Sequence, residues 1–169
     1  EVSLNNIGMG YSGKGDTDKA LECQEKSLEI AEKIGDRQML PYILHDLVKQ
    51  LVKKGRLDEA RTHALKAVEI SAEMQIPDMT SASHRILGIV NEARGDWDES
   101  ATSFEASMAA ITGGPNKQLA ETLLAYGKML EAKGDSASSK GKLEAAAKDF
   151  DLLKAPKRAE EARRELVGI

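Results

Sequence analysis

The chain is poor in the residues that staple, stiffen or span. Cysteine occurs once, as Cys23, so no internal disulfide can form and nothing points to an oxidising compartment; a cytoplasmic setting is expected. No apolar run approaches the ~20 residues that cross a bilayer, and no basic-then-apolar signal segment opens the sequence. Positive charge is not in excess: 24 Lys and Arg stand against 28 Asp and Glu, a net charge of -4 that leaves no basic footprint for a nucleic-acid backbone. Aromatics make up only 4% of the residues and proline occurs four times. The chain is instead rich in Ala and Leu, and 31% of it is charged with both signs mixed, which favours helix over strand. At 169 residues it is long enough to bury one core without metals or staples.

Within that background one turn recurs. Lys14-Gly15-Asp16, Lys54-Gly55-Arg56, Arg94-Gly95-Asp96 and Lys133-Gly134-Asp135 follow one another at intervals of 40, 40 and 39 residues. The third copy contains the Arg-Gly-Asp tripeptide known as an adhesion-receptor ligand. Its place in the series gives it a structural meaning instead: each glycine ends one apolar-periodic stretch in a left-handed conformation, and Asp16, Asp96 and Asp135 are expected to cap the next helix. Eight residues before each glycine stand Ile7, Leu47, Leu87 and Tyr126, followed by Gly8, Val48, Gly88 and Gly127. Five residues after it come Ala20, Ala60, Ser100 and Ser139, and seven later Ser27, Ala67, Ser107 and Ala146. Small residues at fixed places on successive helices predict antiparallel pairs that approach closely, with Leu21, Leu28, Leu65, Val68, Phe104, Met108 and Leu143 packed alongside.

The stretch LNNIGMGYSGKGDTDKALECQEKSLEIAEKIGD resembles a tetratricopeptide repeat, with Leu4, Gly8, Tyr11, Gly15 and Ala20 at that family's pattern positions. The resemblance covers essentially the whole chain and is weakest in the fourth unit, where Ser139 and Leu143 replace the usual Ala and aromatic. The period exceeds the family's usual ~34 residues, and Glu32, Ala72 and Thr112 stand where a helix-ending proline is common. The helices are therefore expected to be longer, as in the long-helix variety found in kinesin light chains, LGN-type adaptors and bacterial regulatory proteins. The implied fold is all-α, a right-handed α-solenoid of four antiparallel helix pairs plus a C-terminal capping helix. Units are expected at about 1–36, 37–76, 77–115 and 116–155, with the cap at 156–167. The expected helices are 2–14, 17–34, 38–54, 57–75, 78–94, 97–112, 116–133, 136–153 and 156–167. Because the first helix begins almost at Glu1 with Val2, Leu4, Ile7, Met9 and Tyr11, the array is expected to continue upstream as part of a larger protein.

Catalytic and metal signatures are missing from the pattern. His45, His63 and His84 fall on different helices without carboxylate or Cys at ligand spacing, Cys23 reads as a packing residue, and GGPNK at 113–117 lacks the spacing of a phosphate loop. Trp97 is expected to staple the start of its helix, and the alternating Glu160-Glu161 and Arg163-Arg164 to form a solvated face. No enzymatic activity, cofactor or metal is expected. The resemblance implies instead that the first helix of each unit lines a concave groove. Carried onto this chain, the groove positions are Val2, Asn5, Met9 and Ser12; Tyr42, His45, Lys49 and Val52; Ala82, Arg85, Ile89 and Glu92; and Glu121, Leu124, Lys128 and Glu131.

Tyr42, His45, Lys49 and Arg85 would make the middle of that groove mainly basic, or else Arg85 and Lys128 pair with Glu92, Glu121 or Glu131 and leave an ordinary solvated groove. Asn5 and Met9 stand where some members carry the lysine and asparagine of a carboxylate clamp for a chaperone's C-terminus, so that ligand is not expected. The implied role is a protein–protein interaction module of a signalling or regulatory protein, receiving a peptide or partner helix with an acidic segment among the candidates. The alternative is a small-molecule sensor that controls an attached output domain. Self-association through the N-terminal helix is also expected, and neither nucleic acid nor membrane as a partner.

Overall fold

A computed structural model describes residues 1–168. Its described residues form the helices α1 (Val2–Gly13), α2 (Thr17–Ile34), α3 (Leu40–Lys53), α4 (Leu57–Met74), α5 (Pro77–Arg94), α6 (Trp97–Ala109), α7 (Lys117–Lys133), α8 (Ser136–Leu152) and α9 (Pro156–Val167). Consecutive helices pack as pairs, α1 on α2 through α7 on α8, and the pairs stack into an all-α solenoid closed by α9 on α8.

Two boundaries depart from expectation by more than one residue. Helix α3 begins at Leu40 rather than 38, because Gly35 turns left-handed (φ 73) and the Asp36 carboxylate accepts from the Met39 N–H at 3.2 Å, holding residues 37–39 in a turn. Helix α6 stops at Ala109 rather than 112; the glycines at 113 and 114 are poor helix formers, and Pro115 has no N–H to return to Ile111.

The repeated turn has one geometry throughout. Gly15, Gly55, Gly95 and Gly134 have φ of 81, 71, 82 and 91°, a region in which a Cβ is disfavoured. Asp16 and Asp135 then accept from the backbone N–H of Lys19 and Ser138. Asp96 does not cap α6, contrary to expectation. Its carboxylate accepts instead from Arg94 Nε at 2.7 Å, and the same guanidinium also reaches Asp58. The tripeptide thus closes on itself and on the neighbouring unit. Asp58 belongs to a ladder that links units along the array, Lys54 with Asp18, Arg94 with Asp58 and Lys133 with Asp98, each exposed and individually worth well under ~1 kcal/mol.

Where paired helices cross, size is matched across the contact. A Cβ built on Gly8 would lie 3.1 Å from Gln24, on Gly88 3.0 Å from the Phe104 ring, and on Gly127 2.7 Å from Leu143. In the second unit the sizes are exchanged, with Val48 on the first helix and Ala64 on the second, both fully buried. All eight small residues that follow the turns are fully buried, and four do more than yield space: Ser100 and Ser139 donate at 2.8 Å to the carbonyls of Gly88 and Gly127, Ser27 at 2.8 Å to that of Glu1, and Ser107 at 2.7 Å to that of Ser81. Among the expected packing residues Val68 and Met108 are half-buried, and two are exposed. Leu65 is 42% exposed because it stands one residue, about 100° of helix rotation, beyond the buried row of Ala64 and Phe104. Ile7 is 51% exposed because, unlike Leu47 and Leu87, it has no preceding helix on its side of α1 among the described residues.

The main core runs from α2 to α5, a second joins α7, α8 and α9, and a third stacks Phe104 on Tyr126 at 5.3 Å with Trp97 packed against it. Trp97 is the first residue of α6, inside its N-cap Asp96 and not ahead of it as a staple would be, and it packs against this third cluster.

Candidate ligand groove

The first helices of successive units, α1, α3, α5 and α7, lie side by side, each touching the next. Their shared face carries two adjoining clefts. One of about 400 Å³ lies between α1 and α3, and a larger one of about 550 Å³ extends over α3, α5, α7 and α9. His45 and Lys49 line both. Asn5, Met9 and Tyr42 line the smaller cleft, while Arg85, Ile89, Glu92, Glu121 and Lys128 line the larger. Of the positions named from the repeat register, Val2, Ser12, Val52 and Glu131 line neither cleft, and the other twelve are brought together along one surface. Their spacing of three and four within each helix is the reason, since such positions share a face.

Their chemistry differs from a mainly basic patch. Asn5 is buried and acts as a strut, its amide donating to Asp46 at 3.2 Å while its carbonyl oxygen finds no partner. Lys49 is neutralised by Asp46, 3.1 Å away one turn earlier. Lys128 faces Glu165 at 2.9 Å and Glu161 at 3.8 Å, both on α9. Glu121 is gripped by Arg158, also on α9, through two of its nitrogens, and Arg158 further reaches Glu161 and lies over the Phe150 ring. Arg85 donates to the Gln118 side-chain oxygen at 2.9 Å, with Glu121 4.0 Å off. Burial draws the Arg85 pKa down against the pull of Glu121, with Arg158 adding to the shift. Burial pushes Glu92 up, partly offset by Lys128.

His45 is held neutral at ordinary pH. Burial first, then Lys49 and Arg85, lower its pKa to about 4 against the opposing charge of Asp46, and its Nε2 lies 2.9 Å from the Ser83 hydroxyl. Ser83 is fully buried, so this pair braces α3 against α5 and offers no accessible nucleophile. Among the described residues no group of three or more His, Cys, Asp or Glu is placed to hold a metal ion, and no helix is long and apolar enough to cross a membrane.

Helix α9 corrects the reading of the C-terminal segment. Ala159 and Ala162 are fully buried, and of the four charges expected to form a solvated face Glu161 instead joins Arg158 and Glu165 in reaching the groove side chains of α7. Arg158 stands 37 residues after the Glu121 it grips, close to the repeat interval, so α9 occupies the place of a further first helix. That interval was the signal that could have revealed its groove residues. Gln118 and Lys117, at the start of α7, were hidden because they lie one turn ahead of the carried-over positions.

Residues 1–73 match the family model described as tetratricopeptide repeat. No curated protein matches the sequence. Among solved structures, the apo form of RapI is similar with a TM-score of 0.77 at 14% identity, over 89% of this chain and 56% of that one. A Rap protein complexed with Competence and Sporulation Factor gives 0.70 at 14% identity, over 98% of this chain and 62% of that one. A Podosopora anserina protein described as a kinesin light chain with nearly identical TPR-like repeats gives 0.70 at 16% identity, over 98% and 92%. The chain thus spans less than two thirds of either Rap protein, and at these identities the likeness is one of fold. The family match covers the first two units, and the same turns, crossings and helix pairs continue through the other two, so the described chain as a whole has the fold of a tetratricopeptide-repeat solenoid.

Proposed function

We propose that this chain is a recognition module of a regulatory or signalling protein, and that a peptide segment of its partner lies in the concave groove. The observation that supports this reading is the juxtaposition of the two clefts. Exposed Met9 and Tyr42 on one side of the His45–Lys49 ridge, and the Ile86, Ile89 and Leu124 floor on the other, offer apolar contacts within rims of charge. Such a surface suits a segment that alternates apolar and polar side chains. The Rap structure solved with Competence and Sporulation Factor is a precedent for ligand binding on this fold. A small-molecule sensor would be favoured by an enclosed cavity, whereas the 550 Å³ cleft carries the exposed side chains of Lys49, Lys117 and Lys128 on its rim.

The test is to select binders from a random displayed 12-residue peptide library and challenge them with Ala82→Tyr. Ala82 lines the larger cleft, and the equivalent position of the second unit already carries a tyrosine, Tyr42, at the surface. The substitution should fill the cleft without disturbing the helix. Selected peptides are expected to lose binding to Ala82→Tyr while its helicity and melting are preserved; peptides that bind both proteins alike would remove the groove from consideration.

A further inference from the structure

We infer that Arg85 is the residue that selects the groove's ligand, by taking an aspartate or glutamate side chain of the bound segment, whose neighbouring aliphatic residue rests on Ile86, Ile89 and Leu124. This rests on the groove being the binding surface.

The case comes from sorting the cations of the larger cleft by what already holds them. Five cations, Lys49, Arg85, Lys117, Lys128 and Arg158, face three carboxylates, Glu92, Glu121 and Glu161. Lys49 and Lys128 each have a carboxylate within 3.1 Å from outside that set, Asp46 and Glu165. Arg158 spends its fork on Glu121 and Glu161. Arg85 alone of the guanidiniums is left short. It offers five N–H donors, and among the described residues only one hydrogen bond is made, to the neutral amide of Gln118. Its nearest carboxylate, Glu121, stands 4.0 Å away, beyond hydrogen-bond range, and is already held by Arg158.

Arg85 is also partly withdrawn from water. Its side chain is 21% exposed, against 54% for Lys49 and 44% for Lys128. A half-buried guanidinium with unfilled donors gains more from a carboxylate than an exposed, already paired ammonium does, because less solvation is lost and the planar fork donates to two oxygens at once. Lys117, exposed and without an ion pair among the described residues, lines the same cleft and adds attraction from its rim. His45, neutral beside Arg85, supplies no competing charge. The apolar floor lies on the same helices: Ile86 and Ile89 flank Arg85 on α5, and Leu124 faces them from α7. An acidic residue next to Leu, Ile or Met is therefore the element that fits.

The test uses the peptides selected from the random library on the wild-type protein. Groove-bound peptides are expected to be enriched in Asp or Glu adjacent to an aliphatic residue. For one synthetic peptide, changing that acid to Asn or Gln should weaken binding at least about tenfold, and Arg85→Gln should weaken it similarly while Lys128→Gln changes it by less than about threefold. Arg85→Lys should fall between, since it keeps the charge and loses the fork. Amidating the peptide's C-terminus separates a terminal carboxylate from the side chain and should leave binding unchanged.

A double-mutant cycle guards against a merely structural effect of Arg85→Gln: once Arg85 is gone, removing the peptide's acid should cost little more. Groove binders with no preference for acids, or an acid whose loss costs as much in Arg85→Gln as in the wild type, would overturn the assignment and leave the groove reading standing. Peptides indifferent to Ala82→Tyr would overturn both.

Discussion

The matched sizes at the helix crossings make a quantitative prediction at Gly127. A methyl group there would stand 2.7 and 2.8 Å from Leu143 Cγ and Cδ2, and 3.4 Å from the Leu143 backbone nitrogen. Leu143 is fully buried between α7, α8 and α9 and has little room to turn aside. Overpacking of this kind costs about 1–3 kcal/mol, against which removing a helical glycine returns about 0.8–1 kcal/mol. Gly127→Ala should therefore destabilise by about 1–2 kcal/mol. Leu143→Ala alone opens a cavity worth about 2–5 kcal/mol.

Combined, the two should cost less than their separate effects by about 1–2 kcal/mol, because the pair then approaches the exchanged arrangement of Val48 with Ala64. Gly10 is the control. It is helical and meets nothing within 4 Å of a built Cβ, so Gly10→Ala should stabilise by up to about 1 kcal/mol. Urea unfolding followed by circular dichroism measures all four. Additivity of Gly127→Ala and Leu143→Ala within about 0.5 kcal/mol, or a Gly127→Ala protein as stable as Gly10→Ala, would refute size matching as the determinant of the crossing.

Gly95→Ala, which forces a Cβ into φ 82°, should lower stability by about 1 kcal/mol, and an unchanged melting curve would contradict the turn's role. Gln24 is fully buried with neither its amide nitrogen nor its carbonyl oxygen bonded, and Leu143 shows that leucine fits the equivalent site opposite a glycine. Gln24→Leu should thus stabilise by about 1–3 kcal/mol, with a lower urea midpoint the contrary result. His45 gives a pH dependence whose sign follows from its lowered pKa: below the ordinary 6.5 the unfolded chain binds a proton that the folded chain refuses until about pH 4. Stability should fall as pH drops through that window, by up to about 3 kcal/mol, and level off beneath it. His45→Gln should flatten this part of the urea midpoint-versus-pH curve, leaving the smaller slopes of half-buried His63 and His84, whose pKa values burial also lowers.

The architecture was legible because the turn glycines and the small residues after them repeat in register, and each repetition reports the same local demand. The groove face was legible once the first helices were placed, since it follows from helical periodicity alone. What was hidden depended on distance in the chain. Arg158 and Glu165, each about a repeat away from its groove partner, set much of the groove's charge from a helix whose alternating charges read equally well as solvated surface, whereas Asp46 lies only one turn from Lys49 and was within reach of helical periodicity. Asp96 loses its cap to Arg94 only two residues before it, and the distant contact is the one the same guanidinium makes with Asp58 of the preceding unit. Leu65 shows the limit of periodicity in a row of small residues, where Ala64 and Leu65 compete for one inward position and only packing decides.

The most direct test of recognition through the concave face is NMR mapping of amide and side-chain shifts with a library-selected peptide. The largest changes should fall on His45, Lys49, Arg85, Ile89 and Lys128, with the Arg85 guanidinium among them, while the second helices of the pairs and the Arg94–Asp96 turn stay still. Shifts concentrated on the convex helices or at the turns, with the groove silent, would contradict it.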